Sequence, residues 1–211
     1  MLPRIPLAQS IDASVDFLVE TCSDFTRAGS AAMGTLLDGF ENLLMLPQPW
    51  LFIILLGLVC WWATRSIKLP AFSMLGFALL WNLGLWEPTM STLALVLSAT
   101  LLSVLLGVPC GILAAVSGWG RQIIMPVLDV MQTMPAFVYL IPAIPFFGIG
   151  KVSAVVATVV FSVPPAIRLT CLGIRQIPAD LVECAEAFGL TRVQRLRKLE
   201  LPLAMPTIVA G

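Results

Sequence analysis

Long stretches of this chain carry no Asp, Glu, Lys or Arg, and short charged intervals separate them. The charge-free windows are 42–64, 69–86, 88–120, 130–150 and 152–167. A membrane-crossing helix needs roughly 20 mostly apolar residues, with a range of about 17–25. The first four windows meet that length. The fifth does so if Arg168 snorkels and the helix runs on toward Gly173. A further apolar run, 203–210, opens near the end of the chain. The pattern predicts an all-α protein, a polytopic transmembrane helical bundle of five spans with the first turns of a sixth.

Ahead of the spans the periodicity is helical but amphipathic. Ile11, Val15, Leu18, Cys22 and Phe25 form one stripe, and Met33, Leu36, Leu37, Phe40, Leu43 and Leu44 a second. Asp12, Asp16 and Glu20 interrupt any apolar signal-peptide core. Residues 1–46 are therefore expected to lie on the membrane surface or against the bundle. Residues 47–86 form two accessory transmembrane helices and 87–211 a core.

Composition confirms the class. Hydrophobic residues make up 59% of the chain and charged ones 11%, with mean hydropathy +0.97. About 25% charge is usual in soluble domains, so a soluble protein is excluded. Twelve basic and twelve acidic residues cancel, which removes any general electrostatic case for nucleic acid. The absence of His excludes histidine-based catalysis and His metal sites. Five scattered cysteines without a CxxC pair make neither a disulfide framework nor a zinc site.

The distribution of Lys and Arg sets the orientation. Arg65, Lys68, Arg121, Arg168, Arg175, Arg192, Arg195, Arg197 and Lys198 fall on one side, and Arg4, Arg27 and Lys151 on the other. Nine against three places the N-terminus outside and the region after Arg168 in the cytoplasm. Asp129 is the one acid placed in a span region; an intramembrane acid is a functional candidate, and Arg121 is its nearest potential partner. Prolines at 109, 135, 142, 145, 164 and 165 remove backbone donors in or near spans. Gly107 and Gly111, flanking Pro109, offer a small-xxx-small face for close helix contact.

The cytoplasmic stretch 178–202 carries the sharpest signal. Pro178 suits a helix start, Gly189 a left-handed ending, Thr191 the cap of a second helix and Pro202 its stop. Leu181, Ala185 and Phe188 make one apolar stripe, and Val193, Leu196 and Leu199 another, beneath a basic outer face of Arg192, Arg195, Arg197 and Lys198. The expectation is a short helical hairpin able to dock a soluble partner.

This segment resembles the EAA loop of binding-protein-dependent ABC importer permeases. Glu183, Ala185, Gly189, Leu201 and Pro202 match its pattern in spacing, while Cys184 replaces the middle Ala and Leu199 the Ile. Upstream, Asp129, Gln132, Pro135, Phe137, Tyr139 and Pro142, with Pro164, Pro165 and Arg168, sit in stretches that resemble glycine betaine/proline permeases. The resemblance is close over roughly 85–211. It implies a MetI-like permease of the bacterial inner membrane, in an ATP-driven importer of glycine betaine, proline betaine or a related osmolyte.

The chain is then no enzyme and holds no cofactor, ATP being bound by a separate cytoplasmic ATPase. Its partners are that ATPase, an extracytoplasmic binding protein, a second copy of the permease and membrane lipid. Glu183, Cys184, Ala185, Gly189, Leu199, Leu201 and Pro202, within 176–202, would couple to the ATPase. Asp129, Gln132, Pro135, Phe137, Tyr139, Pro142, Pro164 and Pro165 are candidates for the translocation path. Choline, carnitine or an amino acid are alternative solutes; a passive channel or a membrane scaffold are rival functions. Permeases of this kind continue through further spans after the loop, so the chain is expected to be truncated at its C-terminal end and inactive in uptake by itself.

Overall fold

The computed structural model describes residues 17, 19–21 and 23–210, and among them every regular element is a helix. The helices are α1 Ser23–Met45, α2 Pro49–Thr64, α3 Lys68–Asn82, α4 Trp86–Val116, α5 Gly118–Thr133, α6 Leu140–Phe147, α7 Lys151–Arg175, α8 Ala179–Ala187, α9 Arg192–Arg195 and α10 Leu201–Val209. They divide between two compact units, Met1–Ser98 with Ile149–Val152, and Ala99–Gly148 with Ser153–Gly211.

In the first unit α1 is amphipathic as its second stripe requires. Leu37 is buried, Met33, Leu36, Phe40 and Leu44 are half-buried, and Leu43 is exposed. Of the first expected stripe, Ile11, Val15, Leu18 and Cys22 lie outside the described residues, and Phe25 falls within α1. Helices α2 and α3 pack on each other through Gly57, where an added Cβ would stand 2.5 Å from Met74 Sδ. Phe52, Phe77 and Trp86 close this contact, with ring centroids 5.6–6.5 Å apart. Lys151 Nζ pairs with Glu41 Oε2 at 2.6 Å, tying the last turns of α1 to the start of α7.

Of the five expected spans, not all are single helices. Among the described residues, α4, with 31 residues, and α7, with 25, are the single helices long and apolar enough to cross a membrane. Two other apolar stretches are bent: α1 from Thr26 meets α2 at 91°, and α5 meets the 136–147 segment at 106°. Helix α3 has 15 residues, about 22 Å at 1.5 Å per residue. It stops at Asn82 because Gly84, at φ +72, turns the chain before α4. The third expected span likewise ends before 120. The Ser117 hydroxyl accepts from Gly120 N at 3.1 Å and caps α5, so a new helix starts there.

The break in the fourth window has a local cause. Met134 is extended, at φ −88 and ψ 135, as a residue before proline tends to be. Pro135 then enters a 3-10 turn, Ala136–Tyr139, that leads into α6. By contrast α7 continues unbroken past Pro164 and Pro165, with Pro164 fully buried. Helix α7 packs on α4 at the glycine pair. An added Cβ on Gly107 would lie 2.6 Å from Ala166 Cβ, and one on Gly111 would lie 2.5 Å from Thr170 Cβ and 2.8 Å from Ile167 O. The small-residue face read from the sequence is thus a close helix crossing.

Candidate functional site

The stretch after α7 folds into the expected hairpin. Pro178 precedes α8, whose first turn carries Asp180. Gly189 has φ +76, and its amide donates to Glu186 O at 2.9 Å while Leu190 N donates to Ala185 O at 3.2 Å. This is the paired carbonyl capping that a left-handed residue permits. Thr191 then starts α9 with a reciprocal box: Thr191 Oγ1 accepts from Gln194 N at 3.4 Å, and Gln194 Oε1 accepts from Thr191 N at 3.0 Å.

Pro202 does not stop the second helix. Arg192–Arg195 passes into a π-helical stretch, Leu196–Glu200, and on into α10. Leu201 N is bonded to Leu196 O, five residues back, and Pro202 follows in the first turn of α10. At a helix start a missing N–H costs little. The chain therefore continues where the sequence pattern suggests a stop.

The residues of the expected docking face separate by burial. Ala185 is buried, at 8% exposure; Glu183, Cys184, Gly189 and Pro202 are exposed; Leu199 and Leu201 are half-buried. Leu181, Phe188 and Val193 stand 42, 80 and 65% exposed. They present an apolar surface beside charge rather than a hairpin core. A groove of about 780 Å³ runs between the hairpin and the ends of α4 and α7, lined in part by Glu183, Glu186, Arg192 and Arg195.

Arg195 was grouped in the sequence with a solvated basic face, and the structure corrects that. Its Nε donates to Glu200 Oε1 at 2.7 Å and its Nη1 pairs with Glu186 Oε1. The Glu200 side chain is 8% exposed. The five-residue spacing from Arg195 to Glu200 was a signal that α-helical periodicity hides and a π-helical turn reveals.

The candidate path residues are distributed. Asp129 pairs with Arg168 on α7, not with Arg121 as expected, and Arg168 Nε is buried with no partner. The Tyr139 hydroxyl donates to Met131 O, the carbonyl four residues before Pro135. Phe137 lines a cavity of about 230 Å³ with Leu140, Ala154 and Phe161. Gln132, Pro135 and Pro142 are exposed, Pro165 is half-buried and Pro164 is buried. Pro135 and Tyr139 therefore act together at the helix break, a pairing that residue type alone did not reveal. Among the described residues no group of three or more His, Cys, Asp and Glu could hold a metal ion.

Comparison with known proteins identifies the setting of this hairpin. The family described as "Binding-protein-dependent transport system inner membrane component" matches residues 107–211, which include the glycine seam and the whole hairpin. The chain is 50% identical over 211 residues, all of its length, to the glycine betaine transport system permease protein OpuAB of Bacillus subtilis (strain 168), covering 74% of that protein. It is 47% identical to the glycine betaine/carnitine transport permease protein GbuB of Listeria monocytogenes, again over all of its length and 75% of that protein. Over 98% of the chain and 58% of the relative, it is 42% identical to the glycine betaine/proline betaine permease protein ProW of Escherichia coli (strain K12). The chain belongs to the binding-protein-dependent transport system inner membrane components: it is a multi-pass permease subunit of an ABC importer, not an enzyme, and it works with a separate ATPase and a substrate-binding protein.

Proposed function

We propose that this permease carries glycine betaine and related compatible solutes inward across the bacterial cytoplasmic membrane, as a homodimer driven by a cytoplasmic ATPase that binds the ATP. The observation that carries the solute class is whole-chain identity of 47–50% to permeases named for glycine betaine. On this reading 176–202 is the EAA-type coupling loop. Leu181, Phe188 and Val193 supply apolar contact to the ATPase, Glu183 a charge beside it, and Gly189 the turn that sets the angle of the dock. The N-terminus is extracytoplasmic. The Glu41–Lys151 pair supports this, because it joins two segments that the positive-inside pattern puts on the same, outer side.

The experiment is uptake of labelled glycine betaine into proteoliposomes holding the permease, its ATPase and its binding protein. Uptake that requires ATP and binding protein, and that unlabelled proline betaine inhibits, is expected. ATP-independent flux would mean a channel. Inhibition by carnitine as strong as by glycine betaine itself would favour the wider specificity named for the Listeria relative.

A further inference from the structure

Arg195 holds three segments of the hairpin together. Its guanidinium bonds Glu186, in the last turn of α8, and Glu200, the last residue of the π-helical stretch, immediately before α10. A guanidinium is a rigid planar fork, so two carboxylates bonded to one are fixed relative to each other. The backbone path from α8 to α10 instead runs through the Gly189 turn, where an added Cβ would meet nothing within 4 Å. That turn reverses the chain through a single left-handed residue with no side chain packed on it. Beyond Glu200, α10 packs against α7, where an added Cβ on Gly173 would lie 3.1 Å from Thr207 Cβ and 3.2 Å from Ala204 O.

We propose that Arg195 is a positioning residue for coupling, making α8, the π-helical stretch and α10 one stiff body, so that displacement of the docked α8 reaches α10 and α7 instead of being absorbed at Gly189. This rests on the coupling reading of the hairpin and adds to it the route by which motion leaves the dock. Glu183 is exposed and outside these ion pairs, whereas Glu186 and Glu200 are both paired with Arg195.

The test uses the permease assembled with its ATPase and binding protein in proteoliposomes, reading ATP hydrolysed per solute imported, with assembly followed by co-purification. Glu186→Gln removes the charge from the exposed tie to α8, weakening it, and leaves the part-buried Arg195–Glu200 pair. Arg195→Lys keeps the charge but not the fork. Each is expected to raise the ratio about fivefold or more, the lower end of ordinary coupling between sites, with assembly at the wild-type level. Wild-type ratios in both variants overturn the inference. So does a parallel fall of assembly, hydrolysis and uptake, which marks a merely structural link. Gly189→Val separates this from the underlying reading: if it uncouples while Glu186→Gln and Arg195→Lys do not, the hairpin still couples and only the role of Arg195 falls. If all three retain the wild-type ratio, the coupling reading falls as well.

Discussion

Pro135 withdraws one backbone donor, and the Met131 carbonyl four residues earlier would be left without a partner in an apolar setting. The Tyr139 hydroxyl, one turn past the break, supplies the missing donor. Tyr139→Phe removes only that oxygen. It should cost about 0.5–1.5 kcal/mol, the usual net worth of one hydrogen bond, here part-buried, read as a lowered melting temperature of the purified permease. Gly189 is a different case, since space around it is open and only the backbone objects. A Cβ in the left-handed region costs roughly 1–2 kcal/mol. Gly189→Ala is thus expected to fold with modest loss, and Gly189→Val to assemble yet lose solute-stimulated ATP hydrolysis, both measured on the reconstituted complex. Gly189 and Thr191 were legible in the sequence because turn and cap chemistry is local. Arg195 and Tyr139 were not: their partners depend on a π-helical turn and on a 3-10 turn, which no α-helical period announces.

At the level of helices, the same residue type has opposite outcomes. Pro135 coincides with a sharp bend, whereas Pro109, Pro126, Pro164 and Pro165 lie inside continuous helices. The difference lies in the neighbours. Next to Pro135 the chain finds a tyrosine to rescue the carbonyl and a 3-10 turn to redirect it, while Pro164 is held by burial. Apolar windows therefore located the membrane stretches but not which would be straight. The Gly107–Gly111 face, legible from spacing alone, is where α4 and α7 approach closely enough to exclude any side chain. Gly111→Ala would drive a methyl against Thr170 Cβ and the Ile167 carbonyl, the latter being backbone and unable to yield. Overpacking of this kind costs typically about 1–3 kcal/mol. The expected result is a lower melting temperature and lower yield, larger for Gly111→Val than for Gly111→Ala.

For the chain as a whole, the proposed orientation rests on charge counting, and contact between distant segments agrees with it. Lys151 and Glu41 are 110 positions apart and meet at 2.6 Å, as the proposed orientation requires of two segments on one side of the membrane. Single cysteines placed at 27 and at 192 in a cysteine-free background should label from opposite faces with a membrane-impermeant maleimide, 27 from outside and 192 only after permeabilisation. Outside labelling of 192 would reverse the topology. The division into a surface helix, a helical pair and a core rests on periodicity and charge alone, each segment having its own. The exposed apolar triad at Leu181, Phe188 and Val193 was legible only as parts of two stripes, since a period says which residues share a face and not whether that face is covered. Finally, the chain contains one tyrosine among 211 residues, and that phenol is the donor at the α5–α6 break. Any fluorotyrosine resonance or phenol vibrational band from this protein would come from that bond alone, so a single-site spectrum could follow the opening of the bend through a transport cycle with no engineered label.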